Sequence, residues 1–131
     1  MKLVLVDDHG GFRRGLAAIL RTIEGIEIAG EAKDIPGAIA VIRQTKPDAI
    51  ILDLHMPGGS GLDVLRFAKS RTPSPVVVVL TVGPKSIYQS RSLAAGADYF
   101  FEKSSELLKM TRVLRSLAKL PAENSANLRS A

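Results

Sequence analysis

Short apolar runs alternate with longer segments of helical periodicity along the chain. The runs are rich in valine, isoleucine, leucine and phenylalanine and are bounded by turn residues, which is typical of buried parallel strands. They predict five strands, at Lys2–Val6, Glu27–Ala32, Ala49–Leu52, residues 76–80 and Tyr99–Glu102. Each strand is separated from the next by a stretch long enough for one helix.

The segments between the strands have the periodicity and the end signals of amphipathic helices. The first predicted helix covers residues 11–22, and the second follows Asp34 as its N-cap and ends near Thr45. A glycine-rich loop over residues 58–61 precedes the third helix, which is predicted over residues 62–70.

Glycine and serine mark the ends of the last two predicted helices. Gly83-Pro84 opens the fourth helix and Gly96 ends it, whereas Ser104 or Ser105 caps the fifth. The buried stripe of the fifth helix is predicted to be Leu107, Met110, Leu114 and Leu117.

Five strand–helix units predict an α/β fold with helices on both faces of a parallel sheet, because the crossover connections are right-handed. The flavodoxin-like strand order 2-1-3-4-5 places the first and third strands together at the topological switch point. We therefore expect one doubly wound (βα)5 domain over residues 1–120. The small polar segment over residues 121–131 is predicted to be a flexible tail or the beginning of a linker.

Charged and hydroxyl residues stand where the predicted strands end. Asp7 and Asp8 close the first strand, Asp53 the third, Thr81 the fourth and Lys103 the fifth. Ligands of such sheets bind outside the carboxyl ends of the strands, so these side chains are expected to meet at one edge. Clustered carboxylates repel each other, and a hard divalent cation with oxygen ligands neutralises them. The sequence thus predicts a Mg²⁺ site at this edge.

Composition narrows the class of protein. The 131 residues suit a single domain, and the absence of cysteine excludes disulfides, zinc thiolates and thiol nucleophiles. The chain starts directly with its first strand, without a basic-then-apolar leader, and its apolar runs are too short to span a membrane. These features predict a cytoplasmic protein without a membrane partner.

The net charge of +5 permits binding to nucleic acid or to acidic partners. The basic residues, however, are scattered over the predicted helix faces, and aromatic residues make up only 5% of the chain. We therefore expect a solvated helical surface, no base-stacking platform and no direct DNA binding.

The ordered set of strand-end residues resembles the receiver domain of bacterial two-component response regulators. The resemblance runs from the first strand through the fifth helix. It rests on the pair Asp7-Asp8, on Thr81, on Lys103 and on the sequence Asp53-Leu54-His55-Met56-Pro57-Gly58-Gly59-Ser60-Gly61-Leu62. Each piece alone is a weak signal, whereas the ordered set is highly specific.

This resemblance implies a role for each residue of the predicted edge. Asp53 would be the phosphoacceptor and Asp8 a direct Mg²⁺ ligand, while Asp7 would act on the ion largely through water. The backbone carbonyl of His55 would complete the protein's share of the metal site, together with Asp53 itself.

The resemblance also assigns the residues that would respond to the phosphoryl group. Thr81 would bond one phosphoryl oxygen, and Lys103 would pair with Asp53 or its phosphate. Phe100, three positions before Lys103, would be the switch aromatic, where tyrosine is commoner in the family. It would turn from an exposed to a buried position as the loop after Thr81 moves inward.

By the same resemblance, a sensor histidine kinase or a phosphotransfer protein would phosphorylate Asp53, and the chain would catalyse only its own phosphorylation and dephosphorylation. The output would pass to a protein partner or a second copy through the surface of the fourth helix, fifth strand and fifth helix. Its cations suit an acidic partner, and Glu102 and Glu106 suit self-interaction; the cations are Lys85, Arg91, Lys109 and Arg112.

Some positions vary within the family or depart from its pattern. Ser104 follows Lys103 where the family often has a proline in a cis peptide, so the isomer of this bond is left open. His55 and Gly83 stand two positions after the predicted phosphoacceptor and after Thr81, where the family tunes the lifetime of the phosphate.

Four other functions compete with a phosphorylation-switched regulator of one domain. The chain could be the receiver fragment of a DNA-binding transcriptional regulator, with the tail as a linker stub. An aspartyl-phosphate phosphatase acting on small molecules is disfavoured, because its Asp-x-Asp motif and cap insertion are missing. A nucleotide or flavin site is disfavoured by the lack of a glycine-rich motif after the first strand. A receiver that has lost phosphorylation is disfavoured by the complete acidic set.

Overall fold

A parallel sheet of five strands with helices on both faces forms the body of the protein. The structure is a computed structural model that describes residues 1–83 and 85–119. None of the described helices is long and apolar enough to cross a membrane. The elements in chain order are β1 (Lys2–Val6), α1 (Gly10–Leu20), β2 (Glu27–Ala32), α2 (Ile35–Thr45), β3 (Ala49–Leu52), β4 (His55–Met56), β5 (Gly59–Ser60), α3 (Gly61–Lys69), β6 (Val76–Thr81), α4 (Lys85–Ala94), β7 (Tyr99–Glu102) and α5 (Leu107–Ala118).

The strand order of the main sheet is β2-β1-β3-β6-β7, with every neighbouring pair parallel. Since β6 and β7 are the fourth and fifth strands of this sheet, the predicted flavodoxin-like order is confirmed. The register pairs Val6 with Leu52 and Leu52 with Val79. The carboxyl ends of the three central strands therefore lie side by side.

Both faces of the sheet are buried, and alternate residues of each strand point to opposite faces. Leu3 and Leu5 pack with the apolar faces of α1 and α5, whereas Val4 and Val6 pack with α2 and α3. The strands β3 and β6 are buried along their whole length. Coverage on both sides explains why their sequences are continuous apolar runs rather than alternating ones.

The helix boundaries lie close to the predicted ones. The helix α1 begins at Gly10, because the imidazole of His9 caps it by accepting a hydrogen bond of 3.1 Å from the backbone N–H of Phe12. Asp34 caps α2 as predicted. Pro84, the predicted opening of the fourth helix, lies outside the described residues, as does the predicted tail over residues 121–131.

The prediction that Ser104 or Ser105 caps the fifth helix is wrong. Its N-cap position is Glu106, whose side chain makes no capping hydrogen bond. The backbone N–H groups of Ser105 and Glu106 both donate to the carbonyl of Glu102. This hydrogen-bonded turn carries the chain past both serines, so α5 starts only at Leu107.

The predicted loop before the third helix contains a small hairpin. The strands β4 and β5 pair antiparallel, with His55 opposite Ser60. Gly58 takes a φ of 85° in the turn between them, a conformation that favours glycine. The hydroxyl of Ser60 then accepts from the backbone N–H of Leu62 at 3.1 Å and caps α3.

Gly61 packs directly on the backbone of the chain that follows β3, which gives a first prediction. A Cβ atom there would lie 2.6 Å from the carbonyl oxygen of Asp53 and 2.6 Å from Cα of Leu54. We expect Gly61→Ala to lower the free energy of unfolding by about 1–3 kcal/mol, because backbone atoms cannot move aside easily. Urea unfolding monitored by circular dichroism measures the change.

Gly15→Ala is the matched control, since a Cβ atom at this position within α1 meets nothing within 4 Å. It should raise the free energy of unfolding by about 0.5–1 kcal/mol, because alanine is the better helix former. Equal effects of the two substitutions would contradict the close approach at Gly61.

An ion pair joins the start of α4 to the start of α5. The Nζ atom of Lys85 lies 2.9 Å and 3.1 Å from the two carboxylate oxygens of Glu106, and Glu106 is buried. The hydrogen bond from Lys85 lowers the pKa of Glu106, against the opposing effect of burial, and the backbone N–H of Glu102 adds to the lowering. Glu106 is therefore paired within the molecule, and the use of its carboxylate for self-interaction stays a prediction.

The lowered pKa of Glu106 predicts a pH-dependent contribution to stability. The contribution is present above the unfolded-state pKa of about 4.3 and is lost as the pH falls through the folded-state pKa. Glu106→Gln should thus lower the free energy of unfolding by about 1 kcal/mol at pH 7, since Lys85 remains partly exposed.

Urea unfolding at pH 7 and at pH values below about 4 measures the difference between Glu106→Gln and the wild type. The difference should shrink as the pH falls. Glu24→Gln, at an exposed position without an ion pair in the described part of the chain, should show no such trend. A pH-independent cost of Glu106→Gln would rule out the ionic contribution.

Candidate functional site

Three carboxylates meet at the carboxyl edge of the sheet, as the sequence predicts. One carboxylate oxygen from each of Asp7, Asp8 and Asp53 lies within 4.8 Å of the others. Asp7 follows β1 and Asp53 follows β3, and these strands are neighbours in the sheet. Asp7 and Asp53 are buried, whereas Asp8 is exposed.

A single ammonium group contacts both buried carboxylates. The Nζ atom of Lys103 lies 2.6 Å from Oδ2 of Asp7 and 2.9 Å from Oδ2 of Asp53. It also lies 4.4 Å from the centre of the Phe12 ring, which gives a cation–π contact on a third side. Burial alone would lower the pKa of Lys103, but the hydrogen bonds and charges of Asp7 and Asp53 outweigh it and raise the pKa.

The second oxygen of Asp53 is held by two donors. The hydroxyl of Thr81 donates to Oδ1 of Asp53 at 2.8 Å, and the backbone N–H of His55 donates to the same atom at 3.0 Å. Thr81 is fully buried at the end of β6. Groups from three segments of the chain, at His55, Thr81 and Lys103, therefore fix the orientation of the Asp53 carboxylate. The contact with the Thr81 hydroxyl is the one that the sequence predicts.

Local hydrogen bonds also fix the first acidic residue of the pair. The backbone N–H of His9 donates to Oδ1 of Asp7 at 2.8 Å, and the guanidinium of Arg13 donates to the backbone carbonyl of Asp7 at 2.6 Å. Arg13 itself is held by Glu31, with 2.9 Å between Nε and Oε1. Arg13 was not predicted to belong to the site, because its contact with Asp7 depends on how α1 lies against the end of β1.

The side chain of His55 closes one rim of the site. Its Nε2 atom lies 2.8 Å from the carbonyl oxygen of Val82, and its ring meets that of Tyr88 edge-on at 4.9 Å between centres. These contacts join the loop after β3 to the loop after β6. They were not predicted, because the sequence says nothing of how closely the two loops approach. The role of the His55 carbonyl as a metal ligand stays a prediction.

Phe100 is buried rather than exposed. Its ring belongs to the core on the α2 and α3 side of the sheet, near Val77 and Val79, and Tyr88 of α4 packs against this core. The exposed starting position expected for a switch aromatic is not the one in this structure. Phe100 and the Thr81 hydroxyl both point inward here, and this is the pair of positions that the switch hypothesis assigns to the phosphorylated protein.

The donor set fits a hard divalent cation. Carboxylate oxygens that lie within 4.8 Å of one another repel each other. Lys103 offsets only part of the charge of three acids, and Asp8 has no cationic partner within the described residues. Three carboxylate oxygens with one exposed member suit an ion such as Mg²⁺, which keeps several of its waters.

The peptide bond between Lys103 and Ser104 is not cis. Among the described residues, the cis peptide bond joins Thr72 to Pro73. Ser104 thus stands where the family often has a cis proline, and Lys103 contacts Asp7 and Asp53 with this residue after it. Lys103 also pairs in the backbone, where its N–H donates to the carbonyl of Thr81 at 3.0 Å.

Comparison with known proteins places the chain among signalling domains. The chain matches the family model of the response regulator receiver domain over residues 3–115. It is 32% identical over 117 residues to the response regulator GacA of Pseudomonas aeruginosa, covering 89% of this chain and 55% of that protein. The NarL signal receiver domain from Mycobacterium tuberculosis superposes with a TM-score of 0.81 at 28% identity, covering 92% of this chain and 97% of that one.

The relatives extend to a different activity. The chain is 34% identical over 125 residues to protein-glutamate methylesterase/protein-glutamine glutaminase 2 of Anaeromyxobacter dehalogenans, covering 93% of this chain and 36% of that protein. The chain spans about half the length of the curated regulators it matches, and less of this enzyme. The parallel five-stranded fold, the acids gathered at its edge and a family match over most of the chain lead to one conclusion: this protein belongs to the response regulator receiver domain family.

Proposed function

We propose that this receiver is switched by phosphorylation of Asp53, with a sensor histidine kinase or a phosphotransfer protein as the donor. The observation that carries the proposal is the placement of one buried carboxylate between the Thr81 hydroxyl and the Lys103 ammonium, beside two further acids. No other described acid contacts both a buried hydroxyl and a lysine ammonium at the sheet edge.

The proposed chemistry is attack of an Asp53 carboxylate oxygen on the phosphorus atom of the donor. The bond from phosphorus to the leaving group breaks, and the product is an aspartyl phosphate. Attack of one anion on another requires that positive groups face the phosphoryl oxygens. Lys103 supplies one such charge, and the Thr81 hydroxyl, now bonded to Asp53, supplies a donor for a phosphoryl oxygen.

Asp7, Asp8 and Asp53, with the backbone carbonyl of His55, are the proposed ligands of Mg²⁺. The bound ion would supply further neutralising charge to the phosphoryl oxygens. Asp7 is turned toward Lys103, whereas Asp8 is exposed, which supports a direct role for Asp8 and a role through water for Asp7.

The proposed output is a change of the surface formed by α4, β7 and α5. Thr81 and Lys103 stand immediately before the segments that lead into these helices. Arg91, Lys109 and Arg112 are exposed there and suit an acidic protein partner, or a second copy of the chain through other contacts. We infer a cytoplasmic regulator that binds neither DNA nor membrane directly and catalyses only its own phosphorylation and dephosphorylation.

The second candidate is the receiver part of a longer DNA-binding regulator. It is favoured by the coverage, since the alignment with GacA spans 55% of that protein. The chemistry at Asp53 would be the same in both cases, and the difference would lie in what the switched surface contacts.

The phosphoacceptor assignment predicts that Asp53→Asn abolishes labelling. Wild type incubated with acetyl phosphate and Mg²⁺ should gain one phosphoryl group per chain by intact-protein mass spectrometry, since the carboxylate is the nucleophile. Asp63→Asn, which removes an exposed acid of α3, is the control and should be labelled like the wild type. Labelling of Asp53→Asn at the wild-type level would refute the assignment.

The metal assignment predicts opposite effects of Asp8→Asn with and without Mg²⁺. Without the ion, the substitution should raise the thermal midpoint by about 2–4 °C, because it relieves repulsion of roughly 0.5–1 kcal/mol at an exposed position. With the ion, it should lose most of the rise that Mg²⁺ gives the wild type. Differential scanning fluorimetry over a Mg²⁺ titration measures both, and a full metal response in Asp8→Asn would exclude Asp8 as a ligand.

The switch predicts that the phosphoryl mimic beryllofluoride slows amide exchange over residues 83–112. The mimic should hold the inward positions of Thr81 and Phe100 that this structure shows, and so stabilise the loop after β6 and α4. Thr81→Ala is the matched variant, in which exchange should still slow around Asp7 and Asp53 but not across residues 83–112. Unchanged amide exchange over residues 83–112 of the wild type on addition of beryllofluoride would contradict the switch.

A further inference from the structure

Two arginines lie over the ring of one phenylalanine, on the side of the sheet that α2 and α3 cover. The guanidinium carbon of Arg43 is 5.1 Å from the centre of the Phe67 ring, and that of Arg71 is 5.3 Å from the same centre. Arg43 stands in the last turn of α2, Phe67 lies in α3, and Arg71 follows the C-cap of α3. Among the arginines that the structure describes, only these two lie over an aromatic ring. We call Arg43, Phe67 and Arg71 the arginine–phenylalanine cluster.

The cluster lies toward the edge of the sheet opposite to Asp53. Each crossover helix carries the chain from the carboxyl end of one strand back to the amino end of the next. The C-terminal ends of α2 and α3 therefore lie near the starts of β3 and β6, whereas Asp53 follows the end of β3. The cluster also shares no residue with the surface of α4, β7 and α5, so it is a separate feature of the molecule.

Stacking on Phe67 prepares both arginines to bind an anion. A guanidinium that stacks through its flat face keeps the N–H donors along its edge for another partner. Phe67 packs against the buried core on this side of the sheet, so its ring is a fixed support for the two side chains. Side chains that are already held in place lose less conformational freedom when they bind.

No carboxylate of the described residues neutralises the two arginines. No ion pair in this part of the chain includes Arg43 or Arg71, whereas Arg66, between them in sequence, is paired with Asp63. Lys46, the C-cap of α2, is exposed and adds a third cation at the end of this helix. The dipoles of α2 and α3 favour cations at these ends, but they provide no carboxylate for the guanidinium edges.

The spacing of the arginines fits a pair of carboxylates on one segment of a protein. The two guanidinium carbons lie no further apart than the sum of their distances from the ring centre. Acidic side chains one turn apart on a helix, with about 5–6 Å between their Cβ atoms, fall within that span. Each guanidinium can bind one carboxylate through two parallel hydrogen bonds.

Two other occupants fit this surface less well. A nucleic acid is bound by many cations along its phosphate backbone. Here the exposed acids Asp48 and Asp63 stand beside the cluster in the chain, the first after the end of α2 and the second one turn before Phe67 on α3. A second copy related by a two-fold axis would bring the same cations face to face. An acidic segment of another protein meets neither objection.

We propose that the arginine–phenylalanine cluster is a docking surface for an acidic helix of a partner protein, which presents two carboxylates one turn apart. Arg43 and Arg71 bind these carboxylates, and Phe67 is the positioning residue that holds both guanidiniums. Docking here does not require phosphorylation of Asp53, because the cluster lies toward the other edge of the sheet.

The experiment titrates the isotopically labelled full chain with a defined probe and follows its backbone amide shifts by NMR at low ionic strength. The probe is an alanine-rich helical peptide with two glutamates four residues apart, and its counterpart carries glutamines at the same positions. The glutamate peptide should shift the amides of residues 43–46 and 66–71, whereas the glutamine peptide should not. A single-stranded oligonucleotide with the same charge as the glutamate peptide tests the nucleic-acid alternative.

Variants separate the stacked geometry from charge alone. Arg43→Gln and Arg71→Gln should each weaken binding of the glutamate peptide by about three- to fivefold, the size of an ion pair at an exposed site. Arg43→Lys should weaken it nearly as much, because an ammonium has neither the flat face nor the fork of donors. Phe67→Leu should weaken it with both arginines present, since the ring no longer supports them. Arg115→Gln removes the same charge at an exposed position of α5 and should leave the affinity unchanged.

The contrary outcomes are distinct. Shifts centred on residues 91–112, or equal weakening by Arg43→Gln and Arg115→Gln, would overturn the docking surface. Full affinity of Arg43→Lys and of Phe67→Leu would overturn the role of the stacked geometry. Tighter binding of the oligonucleotide than of the glutamate peptide at the cluster would overturn the choice of a protein partner. None of these results depends on labelling of Asp53, so the phosphoacceptor assignment stands or fails separately.

Discussion

The contact of one lysine with two carboxylates holds the functional edge of this protein together. Asp7, Asp53 and Lys103 come from the ends of β1, β3 and β7. The strands β1 and β3 are neighbours in the sheet, whereas β6 lies between β3 and β7. Buried carboxylates are tolerated when they are paired and hydrogen-bonded, and here the ammonium, the Thr81 hydroxyl and backbone N–H groups provide those partners. Without the lysine, two negative charges would be buried side by side.

The same contact prepares the site for a phosphoryl group. Phosphorylation would replace a carboxylate of one negative charge by a group with nearly two, in a place where the partners already stand. Lys103 and the Thr81 hydroxyl now donate to carboxylate oxygens of Asp53 and would donate to phosphoryl oxygens instead. The backbone that carries these two residues can keep its position. A site organised in this way lowers the cost of reorganisation at the moment of transfer.

The sequence predicted what depends on strand order and strand ends. Apolar runs mark the strands, parallel strands share one polarity, and so Asp7, Asp53, Thr81 and Lys103 had to meet at one edge. It did not predict the start of α5, because two backbone hydrogen bonds to the carbonyl of Glu102 outweigh the capping preference of serine.

Contacts between loops were also beyond the sequence. The distance from the His55 imidazole to the Val82 carbonyl, and the edge-on contact of that ring with Tyr88, depend on where α4 docks. That position is set by packing between segments far apart in the chain, for which a single sequence has no local signal. The buried position of Phe100 could not be predicted either. The strand determines which face of the sheet the side chain is on, but it does not determine the side-chain rotamer.

The arrangement of charges gives a physical route from the site to the outer surface. Lys85 follows Thr81 by one short loop, and Glu106 follows Lys103 by one turn, so their ion pair joins the two segments that leave the site. If the Thr81 hydroxyl turned away from Asp53, the loop after β6 would move, and the Lys85 ammonium would have to leave a buried carboxylate or take the start of α5 with it. Leaving a buried carboxylate unpaired is costly, so α4 and α5 are expected to move together rather than separately. On the proposal that Asp53 is phosphorylated, the responding unit would be the pair of helices with β7 between them.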